Sequence, residues 1–102
     1  MSDTAFIKDE NVLTVKPSGR LDTVTSPALE KEMQPYFGDT TDIIMDFEKV
    51  EYISSSAMRV ILAANHEMSR KDGSFKVINV NDKIYEIFET VGFLNMIEID
   101  KN

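Results

Sequence analysis

Three consecutive hydroxyls, Ser54-Ser55-Ser56, stand where an apolar segment gives way to a helix-like periodicity. Ahead of them run Ile43-Ile44-Met45, then Asp46-Phe47, a charged turn, and Val50, Tyr52 and Ile53. Behind them Ala57, Ile61, Ala64 and Met68 recur on one face at about 100° per residue. The serines therefore lie where a buried strand hands over to a helix. A helix start has unpaired N–H groups and the positive end of the dipole, which favour an anion. Ser54 is the natural N-cap, its oxygen accepting from an N–H one turn inward. Ser55 and Ser56 become the first helical residues, where hydroxyls are usually accessible. All three also fit a purely capping role, but capping needs only one of them.

Nucleophilic catalysis fits poorly. A serine hydrolase needs a base within hydrogen-bond reach of the nucleophile and a third group to orient it. His66 is the only histidine. It follows Ser55 on the same helix by about three turns, roughly 16 Å at the helical rise. No glycine-rich nucleophile elbow surrounds the serines, and no glycine loop with a lysine is present to cradle phosphates. The chain is not expected to be an enzyme.

The run DFEKVEYISSSAMRVIL resembles the signature of the STAS domain, the fold of bacterial anti-sigma factor antagonists. Asp46-Phe47 match the strand end of that signature and Ile53 its hydrophobic residue. Ser55 matches the serine that is phosphorylated, and Ser56 the second hydroxyl. Ser54 stands where the family usually has Asp, and Ala57 and Met58 where Gly and Leu are usual. The alanine adds a methyl where a partner would approach. Gly19-Arg20-Leu21-Asp22 and Val91-Gly92-Phe93 extend the likeness over nearly the whole chain.

The resemblance implies an α/β domain of STAS fold over residues 1–102, a mixed sheet with an N-terminal hairpin and helices packed over it. It also implies a partner switch. Unphosphorylated, the protein binds an anti-sigma factor that is a serine kinase of the ATP-binding type, and a sigma factor is freed. Phosphorylated on Ser55 (Ser56 and Ser54 being the alternatives), it lets go, and a phosphatase resets it. Nucleotide and magnesium belong to the kinase, so no cofactor is expected here. A STAS module serving as a scaffold, or controlling an output other than a sigma factor, is the alternative. Asp22, Ser54, Ser56 and Ala57 are the residues placed near the phosphosite. Asp22 is equally suited to organising its own turn. Met58, Arg59 and Leu62 flank the site on the helix: Arg59 on a polar stripe with His66 and Arg70, Met58 and Leu62 between that stripe and the core face. These three are the candidate partner surface, the two apolar ones being read equally as edge-of-core residues.

Composition agrees with a binding module. At 102 residues, 42% hydrophobic and 28% charged, the chain is sized for one domain with one core. The net charge of −7 disfavours nucleic acid and anionic membranes and suits a basic partner surface. With no cysteine there is neither a disulfide framework nor a thiolate metal site, and one histidine is too few for a metal cluster. No apolar run is long enough to span a bilayer and Met1-Ser2-Asp3 opens no leader pattern, so the expected location is the cytoplasm.

The elements that must position the serines follow from local pattern. Ala5-Phe6-Ile7 and Val12-Leu13-Thr14-Val15 read as a hairpin, with Pro17-Ser18-Gly19 breaking its second strand. Ser26-Pro27 reads as N-cap and first helical residue of a short helix ending near Gln34. Ile43 to Phe47 is apolar on both faces and is placed at the centre of the sheet. The helix from Ser55 is expected to stop near Lys71, before Asp72-Gly73. A strand over Phe75-Ile78, a helix capped by Asn79 or Asn81 with Ile84, Ile87, Phe88 and Val91 inward, and an edge strand at Ile97 and Ile99 complete the chain.

Overall fold

The computed structural model describes residues 3–102; Met1 and Ser2, part of the segment read for a leader, lie outside the described residues. Strands β1 (Thr4–Asp9) and β2 (Val12–Leu21) lead to helix α1 (Thr25–Met33) and a 3-10 helix (Gln34–Asp39). Strands β3 (Asp42–Asp46) and β4 (Lys49–Ile53) lead into helix α2 (Ser55–Arg70). Strand β5 (Ser74–Val80), helix α3 (Asp82–Thr90), a short 3-10 turn (Phe93–Asn95) and strand β6 (Glu98–Lys101) follow. The sheet is mixed, ordered β1-β2-β3-β5-β6, with β4 paired to β2 beyond the end of β3. Only β1 runs antiparallel to its neighbour.

Period-two alternation decides which face is buried. Leu13, Val15, Ile43, Met45, Phe75, Val77 and Ile99 share one face by register and are all buried. Against them pack Leu29 and Met33 of α1 and Ala57, Ile61, Ala64 and Met68 of α2. A stack of Phe88 on Phe93, with centroids 5.4 Å apart and Phe47 beside them, joins α3 to the same core. The sequence pattern placed Val91 inward as well, but it is exposed, because the helix ends at Thr90 and Gly92 turns the chain away with φ +84°.

The structure alters four further local expectations. Pro17-Ser18-Gly19 does not break β2, which runs on to Leu21. On one side β2 pairs with β3 over Val12–Val15 and with β4 from Ser18, so Pro17 lies in the gap between two ladders, where its missing N–H interrupts nothing. The segment after the charged turn, to which the sequence pattern assigns no element of its own, contains a strand, β4. Ser26 is not the cap of α1: it lies inside the first turn, fully buried, its hydroxyl without a partner among the described residues. Finally, β3 is central but not buried on both faces. Ile43 and Met45 are buried whereas Ile44 is only half-buried, like Thr14, Lys16, Lys76 and Ile78 on the same face.

That second face carries one nearly buried charge, Asp46. Its Oδ1 accepts from the Glu48 N–H and from Asn79 Nδ2, both at 3.0 Å, and Lys16 Nζ stands 3.8 Å from Oδ2. The carboxylate thus fixes the step where β3 ends and the chain shifts over to become β4. At the opposite end of the sheet Asp42 binds the β5 start, accepting from the Ser74 hydroxyl at 2.6 Å and the Ser74 N–H at 3.0 Å.

Asp42 provides a pH test of this knot. Hydrogen bonds from the Ser74 hydroxyl, then the Thr41 hydroxyl, hold its carboxyl below the usual aspartate range against a smaller upward push from burial. A lowered folded-state value means stability that is complete above the unfolded value and is lost as pH falls through the folded one. The difference in melting temperature between the parent and Asp42→Asn should be constant above about pH 5 and shrink steadily below about pH 4. A difference that stays unchanged down to pH 3 on the order of measurement error would contradict the bonding described for Asp42.

Candidate functional site

Helix α2 begins where the sequence pattern puts it. Ser54 is the N-cap, in extended conformation, and its oxygen accepts from the Ala57 N–H at 3.3 Å. The same hydroxyl donates to the Leu21 carbonyl at 2.9 Å, and the Ser54 N–H reaches that carbonyl at 2.9 Å as well. Ser54 is therefore consumed in tying the α2 start to the end of β2. Ser55 is exposed and Ser56 half-buried, and neither hydroxyl forms a hydrogen bond with a described residue.

The β2 end is organised by Asp22. Its Oδ1 accepts from the N–H groups of Val24 and Thr25, each at 2.9 Å, and Thr25 Oγ1 donates to the Arg20 carbonyl at 2.7 Å. These bonds start α1 in place of a Ser26 cap: two orphan N–H groups of the helix entry are satisfied from Asp22. The Thr25 and Val24 N–H groups hold its carboxyl below the ordinary range. Asp22 builds its own turn, and it directly follows Leu21, whose carbonyl Ser54 grips.

Ala57 is next to the serines but buried, at 1% exposure. Its methyl points into the core, which corrects the expectation of a group standing at a partner's approach. Met58 is half-buried against the core, Arg59 is exposed and Leu62 is exposed at the border. So the helix flank offers a cation between two partly accessible apolar groups. His66 lies on the same unbroken helix, on the order of 16 Å along the axis from Ser55, and cannot serve as its base.

Two further groups at this end escape sequence reading. Tyr52 is exposed at 40% because β4 turns it outward, and the Arg20 guanidinium lies 4.2 Å from its ring centroid. Val24, at 78%, is the most exposed of the large apolar residues described and projects from the Asp22 turn. The first became readable only with β4 known as a strand; nothing in the sequence marks the second. A cleft of about 450 Å³ opens elsewhere, lined by Ala5, Ile7, Lys16, Asp46 and Glu48 among others, and includes none of Ser54, Ser55 and Ser56. Among the described residues no three His, Cys, Asp or Glu side chains gather as a metal site, and no helix is long and apolar enough to cross a membrane.

Comparison with known proteins is consistent along the chain. The family model described as STAS domain matches residues 4–102. The anti-sigma-B factor antagonist of Staphylococcus aureus (strain NCTC 8325 / PS 47) is 28% identical over 88 residues, 85% of this chain and 82% of the relative. The crystal structure of a putative anti-sigma factor antagonist from Thermotoga maritima superposes with a TM-score of 0.89 at 18% identity, covering 97% of this chain and 86% of that one. The Bacillus cell fate determinant SpoIIAA, solved in its phosphorylated form, superposes with a TM-score of 0.77 at 17% identity, covering 94% and 89%.

Proposed function

The chain belongs to the STAS domain family, and from that membership we propose that it is an anti-sigma factor antagonist switched by phosphorylation of Ser55. The whole chain, residues 1–102, acts as a single STAS domain. Unphosphorylated, it occupies an anti-sigma factor that is also a serine kinase, and the sigma factor is released. Transfer of phosphate to Ser55 ends the contact, and a phosphatase restores it. The protein is a binding partner and not a catalyst; nucleotide and magnesium belong to the kinase.

The observation that carries this reading is the division of labour among the three serines. Ser54 spends its hydroxyl on the Leu21 carbonyl and the Ala57 N–H, Ser56 is partly covered, and Ser55 alone is exposed. A kinase must reach the hydroxyl it modifies, so exposure favours Ser55 over its neighbours. The named relatives support the antagonist role, and a phosphorylated form is known for one protein of the same fold. Met58, Arg59 and Leu62 supply the adjoining contact surface, in line with the enrichment of Met and Arg at interfaces. The net charge of −7 suits a basic partner.

Incubation with the cognate kinase and ATP, followed by fragmentation mapping, tests the assignment. The phosphate should appear on Ser55, and Ser55→Ala should abolish labelling while retaining the fold. Full labelling of Ser55→Ala would move the site to Ser56.

A further inference from the structure

Arg59 stands one helical turn after Ser55, at i+4, and both side chains are exposed on α2. Residues so spaced face each other with Cβ atoms about 5–6 Å apart. Arg59 has no acidic neighbour on its helix: the positions three and four away are Ser56, Ser55, Leu62 and Ala63. It forms no ion pair or hydrogen bond with any described residue. Arg70 on the same helix, by contrast, is held by Glu67 at 3.2 Å. Arg20 lies over the Tyr52 ring, and Asp22 Oδ1 accepts from the Val24 and Thr25 N–H groups. Among the described residues, Arg59 is therefore the one unpaired cation within a turn of Ser55 along the chain.

We infer that Arg59 is the internal counter-ion of phosphorylated Ser55, closing on the phosphate from one turn below. This deepens the proposed switch and rests on Ser55 as its site. A guanidinium offers paired N–H donors suited to phosphate oxygens, and charge-assisted bonds of this kind are stronger than neutral ones. The order also suits the pair, since an anion N-terminal to a cation at i,i+4 is the better orientation. The unphosphorylated protein presents Arg59 to its partner. The phosphorylated protein has drawn it onto its own phosphate. One modification then both adds repulsive charge and withdraws a contact the partner used.

The test places phosphoserine at residue 55 during synthesis, which makes it independent of any kinase, and follows the phosphate by 31P NMR through its second ionisation near pH 6. Arg59→Gln should raise that ionisation by ~0.5 unit relative to the parent, and Arg59→Lys should recover part of the difference. Arg70→Gln, which removes the same charge farther along the helix, should leave it in place. In parallel, the Arg59 Nε–Hε resonance should shift on phosphorylation. An Arg59→Gln protein titrating with the parent, or an equal rise in Arg70→Gln, overturns the pairing. Neither result bears on whether the kinase chooses Ser55, which the mapping experiment decides alone.

Discussion

The phosphorylated protein and Ser55→Asp are expected to bind the anti-sigma kinase at least about a hundredfold more weakly than the parent, while Ser55→Ala binds as the parent does. Phosphate adds roughly −1.5 to −2 charges at neutral pH. A kinase that phosphorylates Ser55 must bring its nucleotide phosphates close to that hydroxyl, so the new charge meets charge of the same sign. Like-charge juxtaposition across an interface costs several kcal/mol, and at ~1.4 kcal/mol per tenfold a cost of ~3 kcal/mol gives the hundredfold change. The fold should not respond. Ser55 is exposed and makes no hydrogen bond with a described residue, so nothing in the protein is lost when its oxygen is esterified. Its place at the start of α2, where N–H groups are free and the dipole is positive, welcomes the anion. Titration calorimetry and thermal melts on the four proteins separate the two effects. Undiminished binding by the phosphoprotein, or a melting temperature many degrees lower, contradicts a switch that acts on the interface.

The largest loss of stability is expected from the smallest side chain that can be added, Gly73→Ala. A β-carbon built at Gly73 would lie 1.7 Å from the Thr41 carbonyl oxygen and 2.8 Å from its carbon, both backbone atoms. Neither chain can retreat. The Thr41 oxygen accepts from the Ser74 N–H at 3.1 Å, and the Thr41 N–H donates to the Asn11 carbonyl at 2.9 Å. Gly73 itself donates to the Met68 carbonyl at 2.8 Å, closing α2. Relief therefore requires breaking the entry to β3 or β5, and the cost should be ~3 kcal/mol or more, a large part of the ~5–15 kcal/mol that holds a domain together. Gly38→Ala is the matched control, since a β-carbon there meets nothing within 4 Å. Its denaturant midpoint should stay at or slightly above the parent's. A parental midpoint for Gly73→Ala would show that the two segments are not packed as described.

Gly73 illustrates how the sequence could be read and where it fell short. Asp72-Gly73 marked the end of a helix correctly, and α2 does stop at Arg70 with Lys71 as its C-cap. The close approach to Thr41 was invisible, because it joins residues far apart in the chain. The same division runs through the fold. Periodicity located α2, its buried face and the Ser54 cap, because those depend on residues within a turn of one another. β4 has no separate place in the sequence pattern because a five-residue segment with two charges carries little strand signal by itself; it is a strand because β2 outlasts β3 and leaves an edge to be paired. Ser26-Pro27 looked like a helix start because the pattern is local, whereas Asp22 had already satisfied the N–H groups a cap would serve. Ile44 was read as buried because apolar composition does not say whether anything covers a face. At this end of the molecule the serine run and its place at the start of α2 are legible in the sequence, while the exposure of Tyr52 and Val24 depends on how β4 and the Asp22 turn are set.

The double grip of Ser54 on the Leu21 carbonyl, through backbone and side chain, has a consequence for timing. With the end of β2 and the start of α2 joined at one oxygen, Ser55 is held in one geometry, and the proposed phosphorylation calls for no rearrangement of that junction. Under the proposed switch the protein would then act as a latch with no clock of its own. How long it stayed in either state would be set by the enzymes that write and erase the phosphate, so a cell could retune the delay of the response by changing their amounts, leaving this chain untouched.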